Sequence, residues 1–302
     1  MIELEKRLNE FVNYHITGDG ECNGIVLRYW ATKHNLSTQE KIELAYLFSV
    51  CYCVESAIVL LLSKKAIFLD VDKWILQNKH KLIFQSDRKY IRMKSAFNKC
   101  LHFYQNNLNE ILRIGNDEII DLKKWLPVVE KWQYFGRFSA YLYLETISQL
   151  LQREVINAEM EWENGATATS GLMNLYCFDE EADSFDKERV LPDTLNKKIL
   201  QEMIDPVLCD IKAAGGNDNI TMVETSLCAY RKFFKGSRYN GYYLDRMLEE
   251  IYTMASDFPQ ISNELIEIRK HCFGYKYLGE IGGWEGVRKE CKKLYKERRI
   301  MM

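Results

Sequence analysis

The chain has 302 residues, of which 47% are hydrophobic, 28% charged and 13% aromatic, and its formal net charge is -2. That apolar share excludes a disordered or collagen-like chain, and the near-neutral balance excludes a polybasic tail protein while leaving room for a local basic face. The length fits one large domain or two closely packed ones.

The N-terminus, MIELEKRLNEFV, has no basic start, apolar run or small-residue cleavage site, so it does not read as a signal peptide. The Cys count of 9 is odd and includes no CxxC pair, which predicts reduced thiols in a cytoplasm. Ser37 followed by Glu40 reads as a capping box opening a helix over 37–64. Leu44 to Leu62 inside it is long and apolar enough to raise a membrane span. Glu55 interrupts that stretch with a carboxylate that lipid disfavours, so a buried bundle helix is the preferred reading and no membrane partner is expected. Asp70 caps a helix through Lys81, and periodicity predicts further helices at 93–113, 138–155, 194–205, 207–213, 222–234, 241–256, 260–272 and 284–298. No alternating run with hairpin signals occurs, and only 174–178 leaves room for a short strand. The fold class is mostly α. It reads as a single large multi-helical globular fold, or as two helical lobes at 1–155 and 194–302 around an acidic, Gly/Ser/Thr-rich loop region at 156–193. Small residues in ENGATATSGL suit a backbone that comes close to something else.

Charge is segregated along the chain. Residues 73–94 hold seven Lys/Arg against one Asp, and 226–246 hold five against one, whereas 154–193 hold eleven Asp/Glu against two Lys/Arg. A basic cleft with an acidic far side would bind a polyanion while the whole stays neutral; solvated helix faces are the ordinary alternative.

Three segments concentrate groups that could do chemistry. In Glu224–Glu250, a helix, a glycine-bracketed turn and a second helix bring Arg231, Lys232, Lys235, Arg238 and Arg246 near Tyr239, Tyr242 and Tyr243, cations for phosphate beside rings for bases. An ordinary basic helix hairpin would look the same. In Tyr134–Glu145, Gly136 and Arg137 open a helix, where a cation beside helix N–H groups makes an anion site. Glu145, two turns on, reads as a buried acid or as the partner of Arg137. In Phe84–Lys94, Arg88, Lys89, Arg92 and Lys94 surround Tyr90, either to bind phosphate or as a solvated helix end. There is no GxGxxG, P-loop, HExxH or GxSxG, and the five His are isolated, which disfavours a dehydrogenase, a kinase and a metallohydrolase. Neither a metal nor an organic cofactor is expected.

FGRFSAYLYLE, WENGATATSGL and ETSLCAYRKFFKGSRYNGYYLDRMLEEI resemble the phage DNA-hypermodification family of amino acid:DNA transferases, over most of the chain. These are also called α-glutamyl/putrescinyl thymine pyrophosphorylases. The resemblance implies a transferase acting on double-stranded phage DNA whose 5-hydroxymethyluracil has been pyrophosphorylated by a separate DNA kinase. A free amino acid or polyamine then displaces the pyrophosphate, in the host cytoplasm. On that view Arg137, Arg231, Arg238 and Arg246 hold pyrophosphate or DNA phosphate, and Trp162, Tyr239 and Tyr242 stack on the base. Glu224, Glu145 or Asp245 takes the proton of the amine. Cys228 is either a thiolate that adds to pyrimidine C6 or a small buried hydrophobe. Ser170, Lys232 and Lys235, with Arg88, Lys89 and Arg92, complete the DNA-binding set. Two other classes compete: a helical DNA glycosylase-like enzyme with an Asp as acid, and a non-enzymatic nucleic-acid-binding protein.

Overall fold

The computed structural model describes residues 2–84, 93–157, 162, 165–238 and 241–274, without the side chains of 19 and 93–95. In chain order its helices are α1 (Ile2–Ile16), α2 (Cys22–Lys33), α3 (Thr38–Cys51), α4 (Val54–Leu62), α5 (Lys64–Leu69), α6 (Val71–Asn78), α7 (Met93–Asn106) and α8 (Leu108–Leu112). They continue with α9 (Leu122–Val129), α10 (Arg137–Leu151), α11 (Ala166–Leu175), α12 (Asp179–Glu188), α13 (Lys197–Ala213), α14 (Ile220–Phe234), α15 (Tyr242–Met254) and α16 (Pro259–Phe273). Two short strands, β1 (Ile120–Asp121) and β2 (Val155–Ile156), pair in parallel with Ile120 opposite Val155. The fold is mostly α.

Side-chain caps set several helix starts. Glu40 N–H donates to Ser37 Oγ at 3.3 Å while Ser37 N–H donates to Glu40 Oε2 at 2.8 Å, closing both halves of the capping box. Asp70 accepts from Lys73 N–H at 2.9 Å, and Asn196 accepts from the amides of Lys198 and Ile199. The helix expected over 37–64 is split in two. Tyr52 sits in the left-handed region at φ 51, ending α3, and Cys53 is extended before α4. Leu44 to Leu62 is thereby broken, and no helix among the described residues is long and apolar enough to cross a membrane. Asn107 divides the helix expected over 93–113. The break expected at Pro206 is absent: Pro206 and Glu202, whose carbonyl loses its helical donor, are both exposed residues on one side of α13. The loop region expected at 156–193 holds two helices, α11 and α12, and 174–178 is a helix end and turn rather than a strand. The helix expected at 284–298 lies outside the described residues.

Two compact units form. Among described residues, the first takes those up to Cys22 and those from 162 to Arg246, and the second takes Asn23 to 157 and Met247 to 274.

In the first unit α11 packs on α14, and the small residues of α11 explain the closeness. A Cβ on Gly171 would lie 2.5 Å from the carbonyl oxygen of Leu227. The core gathers Phe11 and Tyr14 of α1 with Leu172, Leu200, Ile204, Leu227 and Tyr230. Phe11 meets Tyr230 edge-on at 5.3 Å. His15 is buried between Ser226 Oγ and the Asn217 carbonyl, each 2.8 Å from a ring nitrogen. A carbonyl only accepts, so Nε2 carries the hydrogen and Nδ1 faces the Ser226 hydroxyl.

In the second unit α3 is the central helix, with every residue from Ile42 to Cys51 buried. The Tyr46 ring stacks on Tyr104 and Phe135 at 5.6 and 5.2 Å, and its hydroxyl donates to the Cys100 carbonyl at 3.0 Å. Glu43, fully buried, is held by Lys64 Nζ at 2.7 Å and by the Tyr104 hydroxyl.

Candidate functional site

Along α14 and its C-cap Lys235, residues repeat at helical spacing: Glu224, Cys228, Arg231 and Lys235 lie along one stripe. Arg231 is 2% exposed, and all three of its donor nitrogens are used. Nε and NH2 donate to Asp186 Oδ2 at 3.1 and 2.7 Å, NH2 also reaches Asp183 at 2.6 Å, and NH1 donates to Asn174 Oδ1. Lys235 Nζ joins the same carboxylates at 3.0 and 2.7 Å, and Ser170 Oγ donates to Asp186 at 2.7 Å. Burial works against the Asp186 charge, but hydrogen bonds from Lys235, Ser170 and Arg231 outweigh it and hold the carboxyl below its ordinary range. Arg7 of α1 extends the network to Asp179 at 2.8 Å and to the Asn174 carbonyl at 2.7 Å.

This corrects one expectation. The acidic stretch is not a far side. Its helix α12 supplies Asp183 and Asp186 directly to the cations of α14, so two of the basic residues are neutralised from within the unit. Ser170, Arg231 and Lys235 are brought together, around Asp186. Cys228 is half-buried against the core, the environment of a small hydrophobe. Trp162 is 5% exposed and part of the same core, where its carbonyl accepts from Thr169. Tyr242 is 1% exposed, with the Arg238 guanidinium 4.0 Å from its ring centre and Tyr243 edge-on at 5.3 Å. Asp245 and Arg246 are buried, and Glu224 and Lys232 are half-buried. Tyr239, and with it Arg88, Lys89 and Arg92, lies outside the described residues.

Arg137 and Glu145 belong to the second unit. Arg137 is the first residue of α10, and its NH1 donates to Glu130 at 3.0 Å. Glu145 is buried. Just before α10, Tyr134 is 44% exposed at φ 66, and Lys99 Nζ donates to its hydroxyl at 2.6 Å. Two residues into α10, Ser139 is 1% exposed and its Oγ has no hydrogen-bond partner among the described residues. Lys99 and Ser139 are not among the residues that stand out in the sequence. Ser139 carried a usable signal, being a hydroxyl in the first turn of a helix whose N-cap is a glycine. In the sequence Glu55 reads only as the carboxylate that disfavours a membrane span. It is buried in α4, and its Oε1 accepts from Ser262 Oγ at 2.6 Å.

A family model for amino acid:DNA transferases matches residues 50–239, and the chain belongs to that family. The match takes in α4 through α14 and every described candidate residue except Tyr242, Tyr243, Asp245 and Arg246. No curated protein and no solved structure matches the chain.

Proposed function

We propose that this amino acid:DNA transferase joins an amine to the 5-methylene of a DNA pyrimidine whose hydroxymethyl group carries pyrophosphate. The observation that carries the reading is the family match over 50–239. The amine nitrogen forms a bond to the methylene carbon while the carbon–oxygen bond to pyrophosphate breaks. Pyrophosphate leaves with the electron pair, and the nitrogen loses a proton to a base. The chemistry calls for cations at the leaving group, a base for the amine and a pyrimidine taken out of the stack.

Of the candidate acids, Glu224 is the least buried, and it is assigned the base role. Arg238 is assigned to phosphate in the first unit, and Arg137 separately to phosphate in the second. Arg231, already saturated by Asp183 and Asp186, is assigned to holding α12 on α14. Cys228 is assigned to packing, so the displacement needs no covalent thiolate adduct. The donor DNA, a pyrophosphorylated pyrimidine, would come from a kinase acting earlier on the same base.

The test is amine-dependent release of pyrophosphate from duplex DNA carrying 5-pyrophosphomethyluracil. The reading expects release only when an amino acid or polyamine is present. Release at the same rate without any amine would mean hydrolysis, and no release with any amine would remove the reading.

A further inference from the structure

We propose that the N-terminus of α10 is an oxyanion site for phosphate groups, in which Ser139 supplies a hydroxyl donor. The existence of the site stands on geometry. Naming its occupant as the departing pyrophosphate rests on the transferase reading above.

The first observation is the helix end. Gly136, the N-cap of α10, offers no side-chain cap, and a Cβ built there would meet nothing within 4 Å. Space is therefore open beside Gly136 itself, at the end of this fifteen-residue helix where the dipole favours negative charge. The second observation is independent. Each of the other nine buried Ser and Thr side chains among the described residues has a hydrogen-bond partner, and Ser139 alone has none. Most of the helical ones bond back to a carbonyl one turn earlier, as Ser49 does to Ala45 at 2.8 Å and Thr146 of the same helix does to Leu142 at 2.7 Å. Ser139, in the first turn of α10, bonds neither to the Phe135 carbonyl nor to anything else described. Side chains on a helix lean toward its N-terminus, which directs this hydroxyl to the helix end.

Charge and surroundings agree with a phosphate. Arg137 stands at the same end with 38% of its side chain exposed, its NH1 on Glu130. An incoming oxyanion would compete with that carboxylate for a guanidinium suited to paired phosphate oxygens. Lys99, drawn in by the Tyr134 hydroxyl, adds a second cation beside an exposed ring. A tetrahedral anion accepts from a hydroxyl, a guanidinium and a helix end at once.

The experiment titrates inorganic pyrophosphate into the full chain by calorimetry, for the wild type, Ser139→Ala, Arg137→Gln and Ser148→Ala. Ser148 is a buried serine of the same helix whose hydroxyl is already used by the Glu145 carbonyl. The wild type and Ser148→Ala should bind alike. Ser139→Ala should bind about tenfold more weakly, and Arg137→Gln more weakly still. Ser139→Ala should melt no lower than the wild type, because it removes a hydroxyl that folding leaves unsatisfied. If unmodified duplex DNA displaces pyrophosphate, and Ser139→Ala weakens that duplex equally, the site stands with the DNA backbone as its source of phosphate. Equal pyrophosphate affinity in all four proteins, or none in the wild type, overturns the site. The transfer reaction is followed separately. Amine transfer with pyrophosphate affinity unmoved by either substitution overturns the site alone. Ser139-dependent binding without transfer upholds the site and removes the reaction.

Discussion

Glu55 is 1% exposed, its Oε2 has no hydrogen-bond partner among the described residues, and burial pushes its carboxyl up to about 7 against the opposing bond from Ser262. The folded chain therefore holds a proton between about 4.5 and 7 that the unfolded chain releases. Stability from this group is full below that window and falls as pH rises through it, by on the order of 3 kcal/mol. Glu55→Gln should remove that fall, so urea unfolding at pH 5 and pH 8 should show the variant gaining on the wild type at the higher pH. Equal pH dependence in the two proteins would contradict the assignment. His15 acts in the opposite sense. Burial holds it neutral despite the Asn217 bond, so its contribution is lost as pH falls below about 6.5. The difference between Glu55→Gln and the wild type isolates the carboxyl. At Arg231 the issue is pairing. Replacing it with Met would strand Asp186 and Asn174 without their buried donor and should lower unfolding stability by about 3 kcal/mol. A change under about 0.5 kcal/mol in urea titration would show that the cluster is ornamental.

The elements follow from caps and close contacts in unequal measure. Ser37, Asp70 and Asn196 act within three residues of themselves, so the starts of α3 and α6 were legible in the sequence, and α10, α14, α15 and α16 follow from periodicity. The break at Tyr52 was not legible. CYC holds neither Gly nor Pro, yet Tyr52 takes a left-handed conformation with its ring buried. Residues 166–175 misled for a related reason. Ala, Thr, Ser and Gly have weak helix signals alone, yet α11 uses their smallness to reach the backbone of α14. Gly171→Ala would force a Cβ to 2.5 Å from the Leu227 carbonyl, a contact that rigid backbone cannot relieve cheaply. Despite the better helix propensity of Ala, the variant should lose about 1–3 kcal/mol. A thermal midpoint equal to or above that of the wild type would show that α11 and α14 can separate without loss.

At the scale of the whole chain, a net charge of -2 conceals where charge is spent. Linear counting found the basic and acidic stretches but not that α12 lies against α14, because pairing between segments some 45 residues apart has no local signal. Among the described residues, the cationic groups left for a polyanion are thus fewer than composition suggests. Of the candidate site, the sequence showed the basic and aromatic residue types of α14 and the Arg137 helix start. It did not show which cations are saturated, which rings are buried or that Ser139 lacks a partner, since each depends on neighbours brought in by the fold.

Amine transfer is read out by mass spectrometry of nucleosides from duplex DNA carrying 5-pyrophosphomethyluracil, after incubation with this protein and a pool of amino acids and polyamines. The expected product is a new nucleoside with the mass of an amine adduct, formed in step with released pyrophosphate. Unchanged nucleosides, or loss of the base to leave an abasic site, would contradict the transfer.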